Sequence, residues 1–330
     1  MNKGQRMVSL FIYCRGVRYY GAEGYEAGRT LAAVHADRVY CRLFKLHGGA
    51  GRRAAVRSDT GDGAADTEGS LGEGMTGQIK LVGMVLASMP VGDYDRRLTI
   101  LTKERGRIAA FAKGARKPTS TLLACSQPFC FGEFVLYEGR NSYQLMSAEI
   151  SNYFAELRND VSTIYYAMYF CEFAGYMTKE NLEAREQLKL LYMTLRAVSR
   201  ESLQKKLVRR IFELRFLAVN GEMPQVEQCV LCGRTELLKE PVAWFSPALG
   251  GICCASCRNQ RETGREPGDG VRLCSSTIYT MQFLLATPLE KLFTFAVSDE
   301  VLSELSEAAD RFLQRYVGHR MKSEEMLEYC

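Results

Sequence analysis

Two hydrophobic rhythms run along this chain, and they change over near residue 152. From Met75 onward the apolar residues come in short runs: "IKLVGMVLAS" (Ile79–Ser88), "RLTILT" (Arg97–Thr102), "GRIAAFAKG" (Gly106–Gly114), "GEFVLYEG" (Gly132–Gly139) and "SYQLMSAEI" (Ser142–Ile150). Each is rich in β-branched or aromatic residues and bounded by Gly, Pro or charged turns, which predicts five strands. Five strands in so short a stretch predict a small barrel, either the five-stranded OB-fold or an SH3-like barrel of similar pattern. After Tyr153 the apolar spacing becomes 3.6. Helices are predicted over Asp160–Met177, Leu182–Val198 and Ser202–Val219, the third stopping at Asn220-Gly221. Two more follow a cysteine-bearing segment and the polar stretch "RNQRETGREPGDG". The last starts from Ser298 as N-cap, with Asp299 and Glu300 complementing the helix dipole. No internal repeat is present. The expected class is α+β: a barrel domain over 75–151, then an all-α domain over 152–330 with an inserted cysteine module at about 226–260.

Residues 1–74 follow neither rhythm. They hold 13 of the 29 glycines, and "HGGAGRRAAVRSDTGDGAADTEGSLGEG" has no apolar period, so disorder is expected there. Two explanations compete: a flexible basic arm for nucleic acid, or upstream sequence translated from a misplaced start. The clean pattern opening at Met75 favours the second.

Composition narrows the function classes. The net charge of +5 is modest, but residues 75–151 carry 10 basic against 6 acidic side chains, a local excess suited to a polyanion. The longest apolar run, "IYYAMYFCEFAGYM" from Ile164, contains Glu172 and falls short of the roughly 20 residues that cross a bilayer, so a core helix is expected and no membrane role. No signal-peptide pattern opens the chain. Twelve cysteines in 330 residues, several paired as Cys-x-x-Cys, point to a reduced cytoplasmic setting with a metal rather than a disulfide scaffold.

The segment "VEQCVLCGRTELLKEPVAWFSPALGGICCASC" carries that signal. Cys229 and Cys232 form one knuckle, with Gly233 permitting the tight turn. Of Cys253, Cys254 and Cys257, only Cys254 and Cys257 have the x-x spacing of a second. Four thiolates around a tetrahedral ion describe a structural zinc site, closed to substrate. A redox role would need a strand–CxxC–helix context. Catalytic zinc usually takes histidine, and His319, near the end of the last helix, is the only one beyond residue 74.

Basic residues gather in the barrel segment. "DYDRRLTILTKERGR" supplies Arg96, Arg97, Lys103, Arg105 and Arg107; "AKGARKPTS" supplies Lys113, Arg116 and Lys117 in a Gly/Pro loop; Arg140 sits in another turn. Loop cations beside barrel strands suit a phosphate track. Of the aromatics Tyr94, Phe111, Phe129, Phe131, Phe134, Tyr137 and Tyr143, most are expected in the barrel core, and the remainder are candidates for stacking bases. No GxxxxGK[ST], HExxH or GxSxG is present, which disfavours an ATP-driven motor or a hydrolase.

The ordered set "GMVLASMPVGDYDRRLTILTKERGRIAAFAKGARKPTSTLLACSQPFCFGEFVLYEGR", "RRIFELRFLAVNGEMPQVEQCVLCG", "FSPALGGICCASC" and "RFLQRYVGHRMKS" resembles the bacterial RecO family of recombination and DNA-repair mediators, over about residues 77–325. That resemblance implies an N-terminal OB-fold, a helical domain and a zinc ribbon-like insert, and its Gly-Gly-x-x-Cys-x-x-Cys ending selects Cys254 over Cys253. It implies a non-enzymatic protein, cytoplasmic and nucleoid-associated, that binds single- and double-stranded DNA and anneals complementary strands. Such a protein acts with RecR and single-stranded DNA-binding protein and assists RecA loading indirectly. The barrel cations named above would face DNA. Arg209, Arg210 and Arg215, near apolar neighbours, are a candidate host for an acidic, apolar-tipped tail, with helix-surface charge the plainer expectation. Residues 1–74 have no counterpart in the family pattern. The rival reading is a protein-interaction module without DNA activity of its own.

Overall fold

The computed structural model describes residues 77–140, 142–262 and 270–330, together with 17–19; residues 17–19 and 260–262 are described by backbone only. The disorder expected over 1–74 therefore falls almost wholly outside the described residues. Within it, Val17–Tyr19 pairs antiparallel with Phe295–Val297. The chain divides into two units, a barrel ending at Tyr153 that also holds Glu180–Glu183, and a helical unit comprising the rest of the described chain.

The five expected strands form at β1 (Gln78–Val91), β2 (Asp95–Thr102), β3 (Gly106–Ala112), β4 (Phe131–Glu138) and β5 (Tyr143–Asn152). They close into a barrel in the order β1-β2-β3-β5-β4, antiparallel except for β3 beside β5, and this five-stranded arrangement is an OB-fold. Alternation decides which side chains go inside. In β2 and β3, Leu98, Ile100, Ile108 and Ala110 face the core with Phe134 and Leu136 of β4, while Arg97, Thr99, Arg107 and Phe111 take the opposite phase. A short helix unforeseen from sequence, α1 (Leu122–Cys125), lies between β3 and β4 and buries Leu122 and Cys125. Four residues are too few to show a helical period.

In the second unit, α2 (Val161–Met177), α3 (Arg185–Val198) and α4 (Lys205–Val219) match the predicted helices closely. Asp160 caps α2 by accepting from the Thr163 N–H at 3.0 Å. The apolar run is a core helix: Phe170 of α2 meets Phe212 of α4 at 4.8 Å between ring centroids, and Phe173 meets Phe216 edge-on at 5.6 Å. Its single acid, Glu172, accepts from the backbone N–H groups of Lys322 and Ser323. Next come β6 (Val242–Ser246), β7 (Gly251–Cys254), α5 (Ala255–Glu262), β8 (Val271–Cys274), α6 (Ser275–Ala286), β9 (Phe295–Val297), α7 (Asp299–Tyr316) and α8 (Glu324–Leu327). Ser298 caps α7 as expected, accepting from the Val301 N–H. The sheet β7-β6-β8 extends the cysteine module to Cys274, beyond the polar stretch taken as its end. No described helix is long and apolar enough to cross a membrane.

The helical arginines are neither surface charge nor an open anion site. Glu213 of α4 is fully buried and receives Arg209 Nε at 2.7 Å, Arg210 Nη1 at 2.9 Å and the Tyr169 hydroxyl. Arg209 also reaches Glu324 at 2.6 Å, and Arg210 holds Asp310 through both terminal nitrogens at 2.5 and 2.8 Å. Three carboxylates answer two guanidinium groups, so a cavity of 730 Å³ lined by Arg209, Arg210 and Phe173 offers no surplus positive charge. Arg215 is half-buried and donates to the Leu285 carbonyl. The helical period placed these arginines on α4, but their partners lie up to 115 positions away, beyond the reach of local pattern.

Burial by itself would raise the Glu213 carboxyl, yet Arg210, Arg209 and the Tyr169 hydroxyl outweigh it, and the net shift is downward from 4.5. A group with a depressed folded-state pKa stabilises the fold above its unfolded value and loses that contribution as pH falls through the folded one. Glu213→Ala removes the one fully buried carboxylate that two guanidinium groups share, leaving Arg209 with Glu324 and Arg210 with Asp310, and is expected to cost about 3 kcal/mol, or roughly 6–12 °C of melting midpoint at neutral pH. The gap between wild type and variant should narrow as pH falls below the ordinary glutamate value of 4.5. Thermal melts at neutral and acid pH check both points.

Candidate nucleic-acid interface and metal centre

Within the barrel, three hydrogen bonds, two of them through side chains, hold two loops together. Asp95, opening β2, accepts from the Gly114 N–H at 2.7 Å. The Arg116 N–H donates to the Tyr94 carbonyl at 2.8 Å, and Arg116 Nη1 donates to the Gly92 carbonyl at 3.0 Å. The β1–β2 turn and the loop after β3 thereby form one ledge that presents Lys113, Arg116 and Lys117, all exposed. No described carboxylate pairs with any of the three. Arg97, exposed on β2, stands opposite Met89 and Phe111 in register and extends the basic surface along the strand.

The other sequence-predicted cations fare differently. Arg96 is half-buried and donates to Ser88 Oγ at 2.9 Å. Lys103 is buried at 3% exposure, its N–H drawn to the Val82 carbonyl and its ammonium against Glu104 at 3.3 Å, so it is withdrawn from the candidate set. Arg105 holds both Glu138 oxygens at 2.9 and 3.3 Å and touches the Tyr143 hydroxyl, which pairs its charge at the barrel surface. Arg107 and Arg140 are exposed. Arg107 opens β3, at the far end of that strand from Lys113, and Arg140 sits in the β4–β5 turn beside Glu138. Of the nine candidates, Arg96 and Arg97 lie at the same end of β2 and β3 as the Lys113–Lys117 ledge, Lys103, Arg105 and Arg107 at the opposite end, and Arg140 in the β4–β5 turn. Phe129, Phe131, Phe134 and Tyr143 are core, as most of the aromatics were expected to be, whereas Tyr94 and Tyr137 are exposed.

In the helical unit, Cys229, Cys232, Cys254 and Cys257 bring four Sγ atoms within 4.8 Å of one another. Cys232 and Cys254 are 3.8 Å apart. Tetrahedral ligation at a Zn–S distance of 2.3 Å requires sulfur atoms about 3.8 Å apart, so these thiols fit such an ion with little movement. Local sequence explains the fit. Gly233 takes φ +73°, closing the first knuckle as its N–H meets the Cys229 carbonyl at 2.9 Å. In the second, Gly251 has no room for a side chain: a Cβ there would lie 2.4 Å from the Gln225 carbonyl oxygen and 2.6 Å from Val230. Glu240 ties the two knuckles, accepting from Arg234 at 2.8 Å and from the Ala255 N–H at 3.1 Å. Cys253 stands opposite Trp244, one residue out of phase with Cys254, and is buried outside the cluster.

The thiols are poised for a cation. Burial opposes ionisation of Cys229, but the backbone N–H groups of Cys254, Cys232 and Leu231 outweigh it and bring the thiol down to about 6. Burial and the sulfur neighbours Cys232 and Cys254 push Cys257 up. A divalent ion would relieve that repulsion and fill all four positions with sulfur. The set contains no carboxylate or imidazole, and His319 instead stacks on Tyr176 at 5.8 Å.

Comparison with known proteins agrees with this layout. Residues 75–154 match the family model "Recombination protein O N terminal", and residues 158–325 match "Recombination protein O C terminal". The DNA repair protein RecO of Acetivibrio thermocellus is 30% identical over 72% of this chain and 90% of its own length. That of Alkaliphilus metalliredigens is 32% identical over 72% and 92%, and that of Moorella thermoacetica 31% over 76% and 90%. With both halves matched in order, one to the barrel and one to the helical unit with its cysteine cluster, the chain belongs to the RecO family of DNA repair proteins.

Proposed function

We propose that this protein binds single- and double-stranded DNA through the barrel and anneals complementary strands. With RecR it assists the loading of RecA onto DNA coated by single-stranded DNA-binding protein. The observation that carries the reading is the tethered ledge of Lys113, Arg116 and Lys117, three cations without a pairing carboxylate beside an exposed aromatic ring. Annealing needs phosphate repulsion screened and bases left accessible, and a rigid cationic ledge supplies the screening. No covalent step is required, so the protein acts as a mediator rather than an enzyme, in the cytoplasm and on the nucleoid. Barrel residues 75–151 carry the DNA contacts. Within 152–330 the four cysteines hold zinc, which supplies cross-linking and no open coordination position.

Mixing labelled complementary strands, bare and coated with single-stranded DNA-binding protein, tests this directly. The full chain should accelerate pairing without nucleotide. RecR should raise RecA assembly on coated strands only when this protein is present. No acceleration on bare strands would favour a protein-interaction module lacking DNA activity.

A further inference from the structure

The turn Gly92-Asp93-Tyr94 places a tyrosine at the barrel's tip where no core claims it: Tyr94 is 54% exposed. Its backbone is nevertheless fixed, because its carbonyl accepts from Arg116 and the next residue, Asp95, holds Gly114. A ring on an anchored backbone has only two side-chain torsions left to order, so little freedom is lost when something settles on it. Lys117 Nζ lies over one face at 5.4 Å from the centroid. A cation over an exposed ring is held less firmly than a base stacked on one. Met89 and Val91, at the end of β1 leading into the turn, are exposed too, and the Arg116 guanidinium sits against the Gly92 carbonyl of the same turn. Asp93 is the exposed acid of the same turn.

We propose that Tyr94 is the residue by which this barrel distinguishes unpaired bases from duplex, its ring a stacking platform that Lys117 covers in the free protein. A base displaces the ammonium, which then lies beside the flanking phosphate. The faces of duplex bases are already stacked on one another, so the ring gains nothing from them, whereas the loop cations act on either form. This rests on the barrel being the DNA-binding unit.

The test titrates the full chain with three labelled probes of about 16 nucleotides: oligothymidylate, an abasic oligomer of equal length, and a duplex. Tyr94→Ala should weaken oligothymidylate binding about five- to hundredfold, leave the other two within about twofold, and keep the salt slope. Tyr94→Phe should retain wild-type affinity. Lys117→Gln should instead lower the slope by about 0.7 on the single-stranded probes. A uniform loss across probes in Tyr94→Ala, or none, overturns the assignment while wild-type binding persists. Wild-type protein that binds none of the three would overturn the DNA-binding reading itself.

Discussion

Changing Lys113, Arg116 and Lys117 together to alanine is expected to weaken single-stranded DNA binding roughly ten- to hundredfold near physiological salt and to flatten the salt dependence by about two logarithmic units per decade. The size follows from counterion release, since each phosphate neutralised on a single strand contributes about 0.7 to the slope. The three side chains are exposed and form no ion pair with a described residue, so the barrel should lose only the exposed Arg116–Gly92 hydrogen bond, about 1 kcal/mol, and stay folded. The same exchange at Lys103 or Arg105 should leave the slope nearly unchanged, because those charges already meet Glu104 and Glu138. Fluorescence anisotropy at several salt concentrations measures both quantities. An unchanged slope in the triple variant would sink the ledge as the DNA site.

Metal removal should act on a different part of the molecule and more drastically. Zinc binding to small thiolate modules has an apparent strength of ~10–16 kcal/mol, which serves as folding energy. The sheet β7-β6-β8 has strands of only four or five residues, too little to hold itself without help. Reduced protein should therefore contain one zinc per chain. Chelation or Cys229→Ser should open residues 226–274 to protease and hydrogen exchange and lower the melting temperature of the helical unit. DNA affinity measured on the barrel should change little. Metal analysis that finds no zinc in carefully reduced protein would rule out the assignment.

The sequence revealed most where its periods were long and local. Alternation in "RLTILT" and the 3.6 spacing from Val161 to Val219 mark strands and helices that packing then leaves in place. The cysteine spacing picked the same four residues that the fold assembles, because two thiols on one tight turn can face one ion regardless of what lies between the turns. Contacts across large separations were not legible. Lys103 reads like any other turn lysine until its N–H is seen bonded to the Val82 carbonyl, 21 positions earlier, and its side chain buried. Arg210 looks like helix-surface charge until Asp310, 100 residues on, is seen beside it. The strand β8 was missed for another reason: four residues after a polar stretch carry too little alternation to be distinguished from loop.

The closed barrel has a consequence for how partners can approach. Each of its five strands has a neighbour on both sides, but the seam between β3 and β5 is short: only Ala110–Tyr143 and Phe111–Gln144 pair there, against seven or more positions along each of the other four seams. Along those four fully laced seams docking falls to side chains and turn tips, which makes recognition there tunable by point substitution, and the short seam is where an extended segment finds main-chain groups to pair with.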